Sequence, residues 1–401
     1  MRILLVNMYY SPNMIGGAEH SIMLLAEGLV KAGQEVAVLT LDGLKKGLTE
    51  EIINGVLVFR AYSKSISRRR ILRDKTHPLD MIMNGVNSIV NPCMNNYVKR
   101  VIHSYKPDVV HTNNLVSMSY WIWRYCYKQK IPLIHTLRDY WLIDPTTNIS
   151  GSNPIVSKVF SFFMKRKSNR YVTIVTAPSN ATIKIFNDRG YFHNSERECV
   201  VNCIDFSYEV LKRWIMMKSK IKDRRVSFLY AGYLSENKGI KLLIQELKLT
   251  NADILVTFCG DGPLLQELKE YGKNDERVIV KGRVTKQEMD SEYEKADILL
   301  VPSLWEEPFG RIVIEAAQYA VPTIGSNKGG IPETIEALEY GEIVSVNEHG
   351  AWARCIDKYA NRKNIQRIIA TPPANIDRYR VEKQVDNFID IYHRAISLVK
   401  E

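Results

Sequence analysis

Val301-Pro-Ser-Leu-Trp-Glu-Glu-Pro-Phe-Gly-Arg-Ile-Val-Ile-Glu315 is the stretch on which the reading of this chain turns. It continues an apolar strand, Asp297 to Val301, through a polar turn into a helix. Pro308, Phe309 and Gly310 are expected as the first helical residues, since proline has no N–H to lose in a first turn. Gly310 lets a ligand approach the backbone closely. A strand running into a helix leaves free N–H groups at the helix start, which favour an anion such as a phosphate. Glu307 precedes the helix and Glu315 lies inside it, about 8 Å along at 1.5 Å per residue. A phosphate at the helix start and hydroxyls against each carboxylate describe a nucleotide-diphosphate sugar.

The residues after this stretch continue the pattern with Pro322 to Gly325, a helix from about Pro332 and a strand from Glu342 to Val346. Before it lie three further strands. Val226 to Ala231 leads into a loop, Gly232 to Gly239, that holds Tyr233 and Lys238. Ile254 to Cys259 ends in Gly260-Asp-Gly262-Pro, and Val278 to Lys281 ends in Gly282-Arg283-Val284. Strands alternating with helices argue for a parallel sheet.

The first half repeats the alternation. Strands are expected at 2–8, 35–40, 53–61, 108–111, 131–137 and 171–177, with Gly16 and Gly17 where the first helix begins. Residues 62–106 show no strand pattern and are expected to be helical. Polar residues fall at strand ends: His111 and Asn113 after one strand, Arg138 and Asp139 after another. Ligands of open α/β sheets bind at such ends. The expectation is an α/β chain of two Rossmann-like domains with parallel sheets, residues 1–205 and 206–380, and a last helix within 381–401.

Composition agrees with a folded chain of this kind: 401 residues, 45% apolar and 25% charged. No apolar run approaches the length of a spanning helix. The start turns polar too early for a secretory signal. The six cysteines, Cys93, Cys126, Cys199, Cys203, Cys259 and Cys355, form no Cys-x-x-Cys pair, which suits a reducing cytoplasm. A net charge of +11 without a nucleic-acid-binding signature points to phosphorylated or lipid partners instead of nucleic acid. Arg68, Arg69, Arg70, Arg73 and Lys75 cluster early. Val159-Phe-Ser-Phe-Phe-Met-Lys-Arg-Lys-Ser-Asn-Arg170 mixes aromatics with bases, as an interfacial segment on anionic headgroups does; a core-facing helix with a solvated basic side fits it equally well.

Glu307-Pro-Phe-Gly-Arg-Ile-Val-Ile-Glu315-Ala-Ala-Gln-Tyr-Ala-Val-Pro-Thr-Ile-Gly325, with the Gly-Gly-Ile-Pro-Glu run at 329–333, resembles the donor signature of the family-four retaining glycosyltransferases. The resemblance covers most of the chain and implies the GT-B fold, two facing domains with a cleft between them, the last helix packing back on the first. It implies Glu307, Lys238 and Arg138 as catalytic groups. It implies donor contacts from Gly16, Gly17, Tyr233, Gly260, Gly262, Arg283, Val284, Pro308, Phe309, Gly310, Arg311 and Glu315. His111, Asn113 and Asp139 fall on the acceptor side. Three positions depart from the family pattern. Arg138 stands where relatives often have histidine and, staying protonated, cannot serve as a base. Tyr233 stands where they place an arginine, a loss that Arg138 or Arg311 can offset, and Cys203 replaces a glycine.

No Asp-x-Asp run occurs, so a metal-clamped diphosphate is not expected, and neither a metal nor another cofactor is expected. The resemblance favours a UDP-sugar, then a GDP-sugar, and a glycan or lipid-linked acceptor of surface polysaccharide or lipopolysaccharide. The enzyme would be cytoplasmic, on the inner membrane face. Two other classes share the features: a nucleotide-sugar epimerase or hydrolase, and a non-catalytic nucleotide-sugar-binding scaffold. Product analysis with and without acceptor separates the first from a transferase; donor binding without turnover marks the second.

Overall fold

The computed structural model describes residues 1–14, 16–42, 46–63, 87–89, 91–144, 154–221 and 224–400. The basic cluster at 68–75 lies outside these residues. The chain divides into two compact units, Met1–Cys203 with Arg380–Glu401, and Ile204–Tyr379.

The first unit is built on eight strands: β1 (Arg2–Val6), β2 (Glu35–Asp42), β3 (Leu48–Ile53), β4 (Val56–Tyr62), β5 (Val109–Thr112), β6 (Leu133–Thr136), β7 (Ile174–Ala177) and β8 (Glu196–Cys199). Their order is β3-β4-β2-β1-β5-β6-β7-β8. All neighbours are parallel except β3 and β4. The strand expected at 53–61 is in fact the second arm of a hairpin. Asn54 and Gly55 both have positive φ, 50° and 83°, as a two-residue hairpin turn requires.

The C-terminal helix Val381–Lys400 belongs to this unit. Val385, Phe388, Ile391, Tyr392 and Ala395 join Ile3, Leu5, Leu25 and Val38 in one core. Gly28, inside the first helix, makes the approach possible: a Cβ there would stand 2.7 Å from Val381 and Val385 side chains. Burying these side chains is the main drive for the docking, at about 25 cal/mol per Å² of apolar surface.

The second unit has six parallel strands: β9 (Val226–Ala231), β10 (Ile254–Cys259), β11 (Val278–Gly282), β12 (Ile298–Val301), β13 (Thr323–Ser326) and β14 (Gly341–Val344). The order β11-β10-β9-β12-β13-β14 is that of a doubly wound dinucleotide-binding sheet, with a switch point between β9 and β12. Buried Phe228, Val256, Phe258, Ile298 and Leu300 line one face of the sheet and Leu229, Cys259 and Leu299 the other, so the strands are apolar on both faces, as covered parallel sheets require.

Lys218, on the helix Tyr208–Ser219, is 1% exposed. Its amine donates to Tyr293 O at 2.9 Å and Ala296 O at 2.6 Å, closing the C-terminus of the helix Lys286–Lys295. Burial pushes this amine down to about 7, with the Asp297 carboxylate pulling the other way. An unfolded lysine titrates near ~10.4. Between these values the unfolded chain holds a proton that the folded chain does not, so stability rises with pH across that window, by at most about 1.4 kcal/mol per pH unit. Lys218→Met should flatten this rise; urea melts of both proteins from neutral to mildly alkaline pH will show it, and parallel curves would refute it.

Candidate functional site

In the second unit, the switch point of the sheet lies at the ends of β9 and β12, and the loops that leave these two strands meet there. The β9 loop ends in a short 3-10 turn, Glu236–Lys238. The β12 loop runs from Pro302 to Gly310 and is tied to that turn: Leu304 N and Trp305 N donate to Asn237 O at 2.9 and 3.0 Å. The tie brings Lys238 Nζ onto Glu307 Oε1, an ion pair on groups 69 residues apart. Ser303 Oγ donates to the same carboxylate oxygen at 3.0 Å. Burial, and then the field of the Glu307 carboxylate, raise the pKa of the Tyr230 phenol.

Glycines make this convergence possible. Gly330 N donates to Glu307 O at 2.7 Å, and Gly329 N to Glu306 Oε2 at 2.6 Å. A Cβ on Gly329, whose φ is +57°, would stand 2.1 Å from Glu307 O. Gly260 packs in the same way, with a Cβ falling 1.8 Å from Gly232 O. Gly260 and Gly262 thus hold the β10 loop against the β9 loop, which accounts for them without a ligand. Tyr233 is exposed, and its carbonyl accepts from Tyr230 Oη at 2.9 Å. Arg283 is exposed, while Val284 packs against the core around Leu299 and Ala316.

The helix start differs from the sequence expectation. The helix is Arg311–Ala317, and Gly310 precedes it at φ +87°. Pro308 and Phe309 lie before the helix, because a left-handed residue cannot continue a right-handed turn. Phe309 is 4% exposed, with its ring 6.1 Å from that of Tyr379, so its side chain is part of the core. Glu315 consequently sits only about 6 Å beyond the first helical residue. Arg311 Nε donates to Glu315 Oε1 at 2.7 Å, and Tyr293 Oη to Oε2 at 3.4 Å. The guanidinium expected to offset the cation missing at Tyr233 is therefore engaged with the carboxylate one turn on.

In the first unit the switch point lies between β1 and β5, and polar residues gather there. Asn7, just after β1, accepts from Asn114 N at 3.1 Å. Asn114 Nδ2 donates to Asp139 Oδ2 at 2.9 Å. Arg138 spans two amides, with Nε on Asn113 Oδ1 at 2.9 Å and Nη1 on Asn202 Oδ1 at 2.7 Å. Asn113 is 2% exposed, and its Nδ2 has no partner among the described residues. Burial raises the Asp139 carboxyl, against the N–H of Trp141 that lowers it. Gly16 precedes the helix Gly17–Lys31 in extended conformation, and Glu19 Oε2 accepts from Gly16 N at 2.9 Å. Among the described residues, a Cβ on Gly16 would meet only that oxygen, at 3.6 Å.

His111 is corrected by the structure. It is fully buried, with Nδ1 on Tyr392 Oη at 2.8 Å and Nε2 on Thr136 Oγ1 at 2.6 Å. Burial holds it neutral, well below the usual histidine range. Both ring nitrogens are committed, so it pins the C-terminal helix to the sheet instead of meeting an acceptor. His135, on Thr112 Oγ1 at 3.0 Å, is likewise buried and pushed down to about 3. Sequence reasoning passed over Ser303, Tyr230, Glu19 and Asn202. Ser303 was within reach, since it lies four residues before Glu307 in the stretch that decides the fold.

Two family models divide the chain between them. The model "Glycosyltransferase Family 4" matches residues 15–208, and "Glycosyl transferases group 1" matches residues 212–371. An uncharacterized 42.6 kDa protein in the cps region of Klebsiella pneumoniae is 29% identical over 353 residues, covering 84% of this chain and 88% of that protein. Among solved structures, the chain resembles a sucrose-phosphate synthase from Thermosynechococcus elongatus, with TM-score 0.71, 18% identity and 99% of each chain covered. It also resembles HepE of Anabaena in complex with UDP and glucose, with TM-score 0.69, 17% identity, 98% of this chain and 100% of that one. At these identities the structures speak for the fold alone. With both halves matched in sequence and two parallel-sheet units in place, the chain belongs to the family-four, group 1 glycosyltransferases of GT-B fold.

Proposed function

We propose that the protein is a retaining, metal-independent hexosyltransferase that moves a sugar from a nucleotide diphosphate, uridine before guanosine, to a glycan or lipid-linked acceptor of surface polysaccharide, at the inner face of the cytoplasmic membrane. The observation that carries this reading is the Lys238–Glu307–Ser303 cluster at the switch point of the second sheet. Sugar transfer passes through an oxocarbenium-like state with negative charge building on the departing diphosphate. A lysine and a carboxylate side by side answer both charges: Lys238 the leaving phosphate, Glu307 the sugar and its hydroxyls. The phosphate oxygen itself accepts the acceptor proton, so no protein nucleophile is needed. Glu315 takes the ribose hydroxyls through lone pairs that Arg311 and Tyr293 leave open. Arg138, Asn113 and Asp139 are assigned to hydroxyls of a ligand on the first unit, and Asn113 Nδ2, which has no partner among the described residues, supports this.

The HepE structure holds UDP, which supports trying uridine donors first. The test is thermal stabilisation by a panel of nucleotide sugars. A ligand at a hundred times its Kd adds about 2.7 kcal/mol to the folded form, several degrees for a unit of this size. One donor should stand apart from its nucleotide and sugar analogues. A panel in which no nucleotide sugar moves the midpoint would remove the assignment.

A further inference from the structure

The helix Pro154–Tyr171 has one face that the other described residues of the unit leave uncovered. Val159, Phe162 and Phe163 are 52%, 56% and 54% exposed, while every other phenylalanine of the chain is buried or half-buried. Lys158, Arg166 and Arg170 are exposed beside them. At 100° per residue these six side chains fall within an arc of about 140°. Phe160, Met164 and Ser168 take the opposite side and are buried. The basic residues are Lys158, Lys165, Arg166, Lys167 and Arg170, and the helix has no acidic residue. The Arg166 guanidinium lies 5.8 Å over the Phe162 ring, and the Phe162 and Phe163 rings meet edge-on at 5.7 Å. Charge and apolar surface are thus interleaved instead of separated.

The neighbouring helix Trp121–Lys128 extends the face. Tyr127 is 53% exposed and packs its ring 5.4 Å from that of Tyr171. Arg124 and Lys128 are exposed on the same helix. An open groove of about 470 Å³ lies beside the two helices, lined by Tyr127, Arg166, Asn169, Arg170, Val172 and Asn194. Two guanidiniums and two amides along a groove with aromatic edges suit a phosphodiester headgroup, and the three exposed apolar side chains suit the acyl boundary beneath it. No helix among the described residues is long and apolar enough to cross a bilayer, so attachment through this helix would be a surface one.

We infer that the outer face of Pro154–Tyr171, with the groove beside Tyr127, is a docking surface for anionic phospholipid. The aromatic side chains enter the interface and the basic ones pair with headgroup phosphates. A nucleic acid or an acidic protein would answer the charge but would leave Val159, Phe162 and Phe163 in water, and the lipid accounts for both halves of the face. The surface stands independently of the donor assignment.

The test is co-sedimentation of the full chain with phosphatidylglycerol vesicles and with pure phosphatidylcholine vesicles. The anionic vesicles should retain the protein and the neutral ones should not. Arg166→Gln with Arg170→Gln should weaken retention by about fivefold per basic residue, and added salt should weaken it further. Phe162→Ser with Phe163→Ser should weaken it at least tenfold at the same charge. These residues are exposed, so both variants should keep the thermal shift given by nucleotide sugar, which separates loss of docking from loss of fold or of donor binding. Equal retention on neutral vesicles, or a double serine variant that binds as the parent does, would overturn the proposal. Polyphosphate that displaces the protein from anionic vesicles, with affinity unmoved by the serine substitutions, would overturn it in favour of a soluble polyanion.

Discussion

Glu307→Ala is expected to reduce sugar transfer by roughly 10²–10³-fold while leaving the protein folded, the loss typical of removing one preorganised charge from a transition state. The structure explains why the fold survives. Lys238 is 30% exposed at its side chain, so losing its partner leaves a cation that water can reach, not a buried one. Ser303 Oγ retains Trp305 O at 3.2 Å. The loop itself is held by main-chain bonds to Asn237 and Gly330, which the substitution does not touch. Glu307→Gln keeps the shape and removes the charge, so the two variants should fall together if charge is what matters. Initial rates with saturating donor, beside a thermal melt of each variant, give the answer. Full activity in either variant with unchanged stability would end the catalytic role of this residue.

Gly329→Ala should be nearly as damaging to transfer although Gly329 itself carries no reactive group. Its φ of +57° costs an alanine about 1 kcal/mol. The greater effect is positional, since the new methyl would overlap Glu307 O at 2.1 Å and Glu307 N at 2.5 Å. Backbone cannot swing aside as a side chain does, so the Glu307 loop must move. A shift near ~1 Å in such a group lowers rate about 100-fold. Gly33→Ala supplies the control: its φ is +79°, yet none of the described residues lies within 4 Å of the added carbon. It should lose only the stability that a positive φ costs an alanine, and no activity. Equal kcat/KM in the two variants would show that Glu307 does not depend on this contact.

The parallel sheets were legible because buried strands are apolar runs cut off by glycine and proline, and β9, β10 and β11 could be read almost to the residue. What escaped has specific causes. β8, Glu196-Arg-Glu-Cys199, is partly exposed and polar, with no periodic signal to find. β3 was announced by Asn54-Gly55, a hairpin signature passed over in favour of one longer strand. The helix start at Arg311 depended on the left-handed Gly310, a conformation glycine permits but does not announce. For the site, Glu307 stood out in the local pattern and Lys238 only through the family resemblance, whereas the surroundings of His111 could be read from neither. Its decisive partner, Tyr392, is 281 residues away, and only the docked helix shows that both imidazole nitrogens are already occupied. Arg138 is intermediate: its departure from the family pattern could be seen, but its two amide partners come from separate strand ends.

The placement of Val381–Lys400 has a bearing on how the protein is made. The second unit is continuous in sequence, from Ile204 to Tyr379, and can close as soon as it leaves the ribosome. The first unit is synthesised earlier but lacks Phe388, Ile391 and Tyr392 until translation has passed the whole of the second. Until then its β1 side presents bare apolar surface, and His111 lacks the phenol it pairs with. The part that emerges first is therefore the part that finishes last, and during that interval it is the segment of the nascent polypeptide most in need of a chaperone.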